Sequence, residues 1–274
     1  EDVIGQLKAL RERKQLASPC TVVIDTTLDL DDSPELRALL RDPELAEMIQ
    51  SGALNVVWHR SAQKFDMLGE DNYYGGVVCC LNNGEAFQAF NERIRHPAAQ
   101  LGGIYYQGLT HLQKAIGAAR DDYVRRLRSN AELLYSEVSA ASFSDLKIAP
   151  MQEGSQFFLH LRLPLRLSNL ATHVVTALAA LLARKGVIVS HRGSFGFART
   201  NIIGIGSKGI RITAGLEDAD TIKTIAQAII ELASKLQSAS DECASYSELQ
   251  ELLRELVASS NSKARGSPPT ESEP

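Results

Sequence analysis

A short β-branched run, Thr21-Val22-Val23-Ile24, stops abruptly at an acid, Asp25. Four such residues in a row suit a strand buried on both faces, because Val, Ile and Thr fill a pleated surface well. A strand of that kind belongs to a sheet covered by helices, and its carboxyl end is where open α/β sheets present ligand-binding groups. Asp25 is thereby assigned to an edge of the sheet where chemistry is done.

The same pattern returns further along. Leu54-Asn55-Val56-Val57-Trp58 predicts a second strand, which delivers Ser61-Ala62-Gln63-Lys64 to the same sheet edge, and Gly76-Val77-Val78-Cys79-Cys80 predicts a third. An amphipathic surface helix is expected over 3–16, with Val3, Ile4, Leu7, Leu10 and Leu16 as its apolar stripe. Ser33-Pro34-Glu35 reads as the cap and first turn of one helix running to about residue 49, and a further helix is expected over 85–94. Strands alternating with helices predict an α/β architecture with a mainly parallel sheet.

The second half has a different texture. A long charged helix over 111–139, with Leu127, Leu133, Leu134 and Val138 inside it, is of the kind that links two domains. Beyond it, a strand is expected at 156–163 and a helix at 171–184, closed by the stop signal Lys185-Gly186. Short strands follow at 187–189 and 210–212, then an amphipathic helix over 220–236 carrying Ile222, Ile225, Ile229 and Ile230. This reads as a smaller α+β domain. The Ser, Pro, Glu and Lys content of 259–274 predicts disorder. The expected organisation is a portion of a large domain over 1–135, a small carboxy-terminal domain over 136–240, and a helix with a tail over 241–274.

With 274 residues of which 44% are hydrophobic, the chain can bury such cores. No apolar run approaches the roughly 20 residues needed to cross a bilayer, and Glu1-Asp2-Val3 lacks a signal-peptide plan, so no membrane association and a cytoplasmic address are expected. A net charge of -4 without long basic runs gives no electrostatic footprint for nucleic acid. Cys20, Cys79, Cys80 and Cys243 show no Cys-x-x-Cys spacing, and the six histidines show no His-x-x-x-His spacing, so neither disulfides nor a metal centre are expected. Small-molecule chemistry is the class that remains.

Three charged residues carry that chemistry. Lys64, at a desolvated sheet edge, is an amine able to form a Schiff base; alone it reads as a solvated loop lysine. Its neighbourhood alters that reading, since Ser61 offers a hydroxyl to a phosphate and Gly69, Gly75 and Gly76 allow close backbone approach. Asp25, read alone as a turn or cap residue before Thr26-Thr27, supplies a carboxylate for a protonated ring nitrogen. Arg211, flanked by Ile210 and Ile212, supplies a planar guanidinium for a carboxylate or, equally, for a structural ion pair. His59, close to Lys64 in sequence, either borders the site or, the favoured reading, is a turn residue; Tyr73 and Tyr74 either approach the pocket or, the favoured reading, are packing residues. Ser61-x-x-Lys64 also fits the serine–lysine pair of penicillin-binding proteins and β-lactamases, but the Ser-Asp-Asn and Lys-Thr-Gly partners are missing from the sequence.

Five stretches in order, Val22-Val23-Ile24-Asp25-Thr26-Thr27, Ser61-Ala62-Gln63-Lys64, Gly108-Leu109-Thr110-His111-Leu112, Ser194-Phe195-Gly196 and Arg211-Ile212-Thr213-Ala214-Gly215-Leu216-Glu217-Asp218, resemble the Cys/Met-metabolism family of pyridoxal-phosphate enzymes. The family has the aspartate aminotransferase fold and includes cystathionine synthases and lyases; the resemblance covers about residues 20 to 235, and its closing stretch is the most specific. It implies pyridoxal 5'-phosphate as cofactor, Lys64 as the cofactor-bearing catalytic lysine, Asp25 as ring-nitrogen partner, Ser61 as phosphate ligand, and Arg211 with Ser194 near the substrate carboxylate. It implies an amino-acid substrate, carbon–sulfur bond cleavage by elimination, and a homodimer. Transamination is the second reading, and a non-catalytic dimerisation segment of a larger protein is the third. The chain departs from the pattern at Gln63 and Gln107, and separates Asp25 from Lys64 by more than the family does. The family's phosphate-binding helix start and ring-stacking aromatic precede the aspartate, so this chain reads as a segment of a longer polypeptide.

Overall fold

The computed structural model describes residues 2–29, 33–62, 64–69, 76–100, 107–141, 147–149, 157–163, 169–193, 198–206, 209–241 and 245–264. They form two compact units, Glu1–Asp121 and Asp122–Pro274.

In the first unit, β1 (Cys20–Asp25), β2 (Leu54–Ser61) and β3 (Gly76–Cys80) make a sheet in the order β1-β2-β3. β1 and β2 run parallel, with Asp25 opposite His59; β2 and β3 run antiparallel, with Ser61 opposite Gly76. The expected parallel order therefore holds for one pairing and fails for the other, and the connections explain why. A parallel return needs a long crossover, which α2 (Pro34–Arg41) and α3 (Pro43–Gln50) supply between β1 and β2. Between β2 and β3 the described residues contain only a 3₁₀ turn, Phe65–Met67.

The single helix expected over 33–49 is broken in two at Asp42. Proline disfavours helical backbone in the residue before it, so Pro43 stops α2 and starts α3. Each helix carries its own cap: Ser33 Oγ accepts from the Leu36 amide, and Asp42 accepts from the amides of Glu44 and Leu45. α2 and α3 join α1 (Val3–Glu12), itself capped by Asp2, over one face of the sheet. Leu7, Leu39, Leu45, Met48, Leu54 and Val56 form that core, with Val22 and Ile24 packed against it. β1 is thus covered on one face, not both: Val23 points the other way and is 56% exposed. Asp25, His59, Ser61 and Val78 follow from the period of two as residues of this second face. α4 (Glu85–Gln100) reaches its near end, where Asn91 and Asn55 are buried and hydrogen-bonded to each other.

α5 (Gln107–Ser139) runs into the second unit, where Ala131, Leu134 and Val138 join the core. There β4 (Lys147–Ala149), β5 (Phe158–Arg162), β6 (Asn201–Gly204) and β7 (Ile210–Thr213) form an antiparallel sheet in the order β4-β5-β7-β6. α6 (Ala171–Arg184), α7 (Ala219–Asp241) and α8 (Tyr246–Ala264) contribute to a core that includes Leu159, Leu161, Ile202, Ile210 and Ile212 from the sheet. Gly186 ends α6 at φ 76, the left-handed stop its position predicts. The strand expected at 187–189 does not form; Ile188 is largely exposed, while Val187 is buried in the core and the residues just after it meet β6 through a bridge from Ser190 to Asn201 and side-chain hydrogen bonds. α8 passes residue 259 and continues to Ala264, where composition alone predicts disorder. No helix among the described residues is long and apolar enough to cross a membrane.

Candidate functional site

At the carboxyl ends of β1 and β2, two sequence-predicted residues, Asp25 and Ser61, are tied into one hydrogen-bonded chain by Thr27. Thr27, buried, donates its hydroxyl to Asp25 Oδ1 at 2.5 Å, and its amide donates to the same oxygen at 2.9 Å. The Thr27 hydroxyl oxygen in turn accepts from the Ser61 amide at 3.0 Å. Thr26 closes the other side, its amide donating to the His59 carbonyl at 2.8 Å. His59 is therefore a strand residue opposite Asp25, not a turn residue. The signal for Thr27 was present in the sequence: a hydroxyl two residues after an aspartate is the local pattern that builds such side-chain turns.

Thr27→Val keeps the shape and removes the hydroxyl. The Ser61 amide then loses its acceptor and Asp25 one donor, a change expected to cost about 1–3 kcal/mol. Amide hydrogen exchange would show it as lost protection at Ser61; unchanged protection there would refute the clamp.

Lys64, half-buried, lies three residues beyond Ser61 and opens the 3₁₀ turn. The turn is folded back on itself: the Gly69 amide donates to the Lys64 carbonyl at 3.0 Å, and Leu68 and Gly69 both take left-handed backbone at φ 52 and 74. Glycine accepts that conformation freely; leucine does so at a cost of about 1 kcal/mol. Beneath the turn, Phe65 and Asp66 are buried anchors. Asp66 accepts from Arg60 Nε at 2.9 Å and from Arg120 Nη1 at 3.2 Å, so one carboxylate joins β2, the lysine-bearing turn and α5. Gln63, Tyr73, Tyr74 and Gly75 lie outside the described residues.

Arg211 belongs to the second unit. On β7 it is flanked by Ile210 and Ile212, both buried in the core, so its own side chain stands on the opposite face. Directly across on β5 is His160, and Phe158 shares that face. Arg211 Cζ stands 5.1 Å from the centre of the Phe158 ring, and the His160 ring stacks on the same phenyl at 6.2 Å and 28°. Burial lowers the affinity of Arg211 for its proton without discharging it. Burial first, then the charges of Arg211 and Arg162, push His160 below its ordinary value. The neutral ring is favoured in the folded unit, which therefore loses stability as pH falls below 6.5. Ser194 lies outside the described residues. A groove of about 620 Å³ between α6 and β6, lined by Thr172, Val175, His191, Ile203 and Gly204 among others, includes neither Arg211 nor His160.

The stretch after Arg211 is structural. Thr200 gives its amide and its hydroxyl to Glu217, accepts from the Gly215 amide at 3.1 Å, and Asn130 on α5 donates to the carbonyls of Gly215 and Glu217, both at 2.8 Å. Asp218 then caps α7 through the Thr221 amide at 2.8 Å. No group of three or more His, Cys, Asp or Glu that could hold a metal occurs among the described residues.

No protein-family model matches the chain. No curated protein matches it either. Among solved structures the chain is similar to the crystal structure of cystathionine gamma-lyase from yeast, with a TM-score of 0.52 and 14% sequence identity, over 85% of this chain and 61% of that one. The likeness is one of fold, and this chain spans about three fifths of the length of that protein.

Proposed function

We propose that the chain is part of a pyridoxal-phosphate-dependent enzyme that acts on an amino acid and cleaves a carbon–sulfur bond by elimination. The observation that carries this reading is the Asp25–Thr27–Ser61 chain, within a fold like that of cystathionine gamma-lyase: a carboxylate and a lysine-bearing turn are held at adjacent strand ends. The residues fit the cofactor. Both Thr27 bonds fall on Asp25 Oδ1 of an exposed side chain, which suits Oδ2 to a protonated ring nitrogen, and Lys64, three residues beyond Ser61, offers a primary amine. Ser61 is the phosphate-side hydroxyl in this reading.

When bound, the cofactor supplies an electron sink for the bond broken at the substrate's α-carbon. Lys64 Nζ would take the substrate's α-proton as general base. Asp25 keeps the ring nitrogen charged, and Thr27 holds Asp25 against rotation. Arg211 binds the substrate carboxylate with its planar fork, and a second copy of the chain completes a homodimer.

The test is spectroscopic and then chemical. Full-length protein given pyridoxal phosphate is expected to gain a visible absorbance band that Lys64→Ala abolishes. It is expected to release sulfide, pyruvate and ammonia from cysteine-like substrates. A colourless wild-type protein overturns the cofactor assignment; keto-acid exchange without elimination overturns the lyase assignment.

A further inference from the structure

We propose that His59 is a further contact for the cofactor, its imidazole lying against one face of the pyridine ring. The proposal rests on the cofactor reading given above. β1 and β2 are parallel, and His59 is registered directly against Asp25, with Ser61 two residues further along the same strand. Side chains alternate, so all three belong to one face of the sheet. Neighbouring strands lie about 4.8 Å apart and a parallel strand rises about 3.3 Å per residue, which puts the His59 backbone about 4.8 Å from Asp25 and about 6.6 Å from Ser61. A molecule that reaches from the Asp25 carboxylate to the Ser61 hydroxyl therefore crosses this corner on the diagonal. Thr27, bonded to both residues, flanks the diagonal on one side, and His59 flanks it on the other.

The two flanks differ in what they can offer. Thr27 is buried, and its hydroxyl is already engaged by Asp25 and by the Ser61 amide. The His59 side chain is half-buried, so part of its surface is within reach of a ligand. Its surroundings are open as well: Val78, opposite His59 on β3, is 53% exposed. Opposite Ser61 stands Gly76, which adds no side chain to the corner; a Cβ there would meet the Arg60 carbonyl oxygen at 2.7 Å. The backbone of His59 is fixed from the Asp25 side, its carbonyl accepting from the Thr26 amide at 2.8 Å and from the Thr26 hydroxyl at 3.3 Å. A flat ring held at this corner meets in His59 a second flat ring on a fixed strand, and aromatic rings gain from an offset stack beyond the area they bury.

The experiment titrates full-length protein with pyridoxal phosphate and reads two signals, the visible band and the histidine ring protons by NMR. One histidine resonance, identified by its loss in His59→Phe, is expected to shift upfield as the band saturates, because a ring stacked on an imidazole shields its protons. His59→Phe is expected to keep the parental affinity within about twofold, and His59→Gln, which keeps polarity and loses the ring, to bind about three- to tenfold more weakly. The Trp58 fluorescence midpoint in denaturant checks that both variants stay folded. A His59 resonance that does not shift in a coloured protein overturns the proposal, as do equal affinities in the two variants; either result leaves the cofactor reading standing. A wild-type protein that gains no band overturns the cofactor reading, and this inference falls with it.

Discussion

Asp66→Ala is expected to cost the first unit about 3–5 kcal/mol, the range seen when one partner of a buried ion pair is deleted. Asp66 is fully buried, Arg60 is 3% exposed at its side chain, and Arg120 13%. Both guanidiniums are largely buried against this carboxylate, so its removal takes away a main interaction that offsets their desolvation. Trp58 is the only tryptophan and lies on β2, so its fluorescence during chemical denaturation reports this unit. A much lower unfolding midpoint is expected. A variant within about 1 kcal/mol of the parent would show that the network contributes little. The same substitution loosens the floor under Lys64, so its cofactor band is expected to weaken even in conditions where the unit stays folded.

Gly215→Ala is the second large effect, expected at about 3 kcal/mol or more. A Cβ on Gly215 would meet the Arg199 carbonyl carbon, the Thr200 amide nitrogen at 2.5 Å and the Ala198 carbonyl oxygen at 2.6 Å. All three are backbone atoms, so no side chain can swing aside to make room. The chain must shift, and the shift breaks the bonds from Thr200 to Glu217 and from Asn130 to Gly215. Hydrogen exchange at the Ile202 and Ile212 amides, on the strands flanking this junction, is expected to accelerate strongly. Parental protection at both would sink the argument.

Local chemistry was legible in the sequence; long-range partnership was not. β1, β2 and β3 announce themselves through β-branched runs, and α6 through its apolar stripe and its Lys185-Gly186 stop. β4 and β6 are three and four residues long, too short to show a period against their surroundings. Asp42-Pro43 carried the signal for two helices, and a continuous apolar pattern masked it. At the candidate site, Asp25 and the Ser61-to-Lys64 segment could be placed because each follows a β-branched strand, Asp25 after β1 and the segment after β2. That Asp66 would turn inward to Arg60 and Arg120 has no periodic signature, since a buried carboxylate is recognised only by the cations that the fold brings to it. The pairing of His160 with Arg211 likewise depends on strand register, which fifty residues of intervening chain conceal.

Arg211 also guards how the second sheet is assembled. Its two neighbours, Ile210 and Ile212, have no exposed surface. Because side chains alternate, sliding β7 by one residue against β5 would thrust a guanidinium into the hydrocarbon layer and expel both isoleucines into water. A polar but uncharged residue would reject that misalignment weakly, and an aliphatic one would scarcely distinguish it from the native pairing. The charge therefore disfavours a one-residue slip of the sheet whatever else Arg211 does.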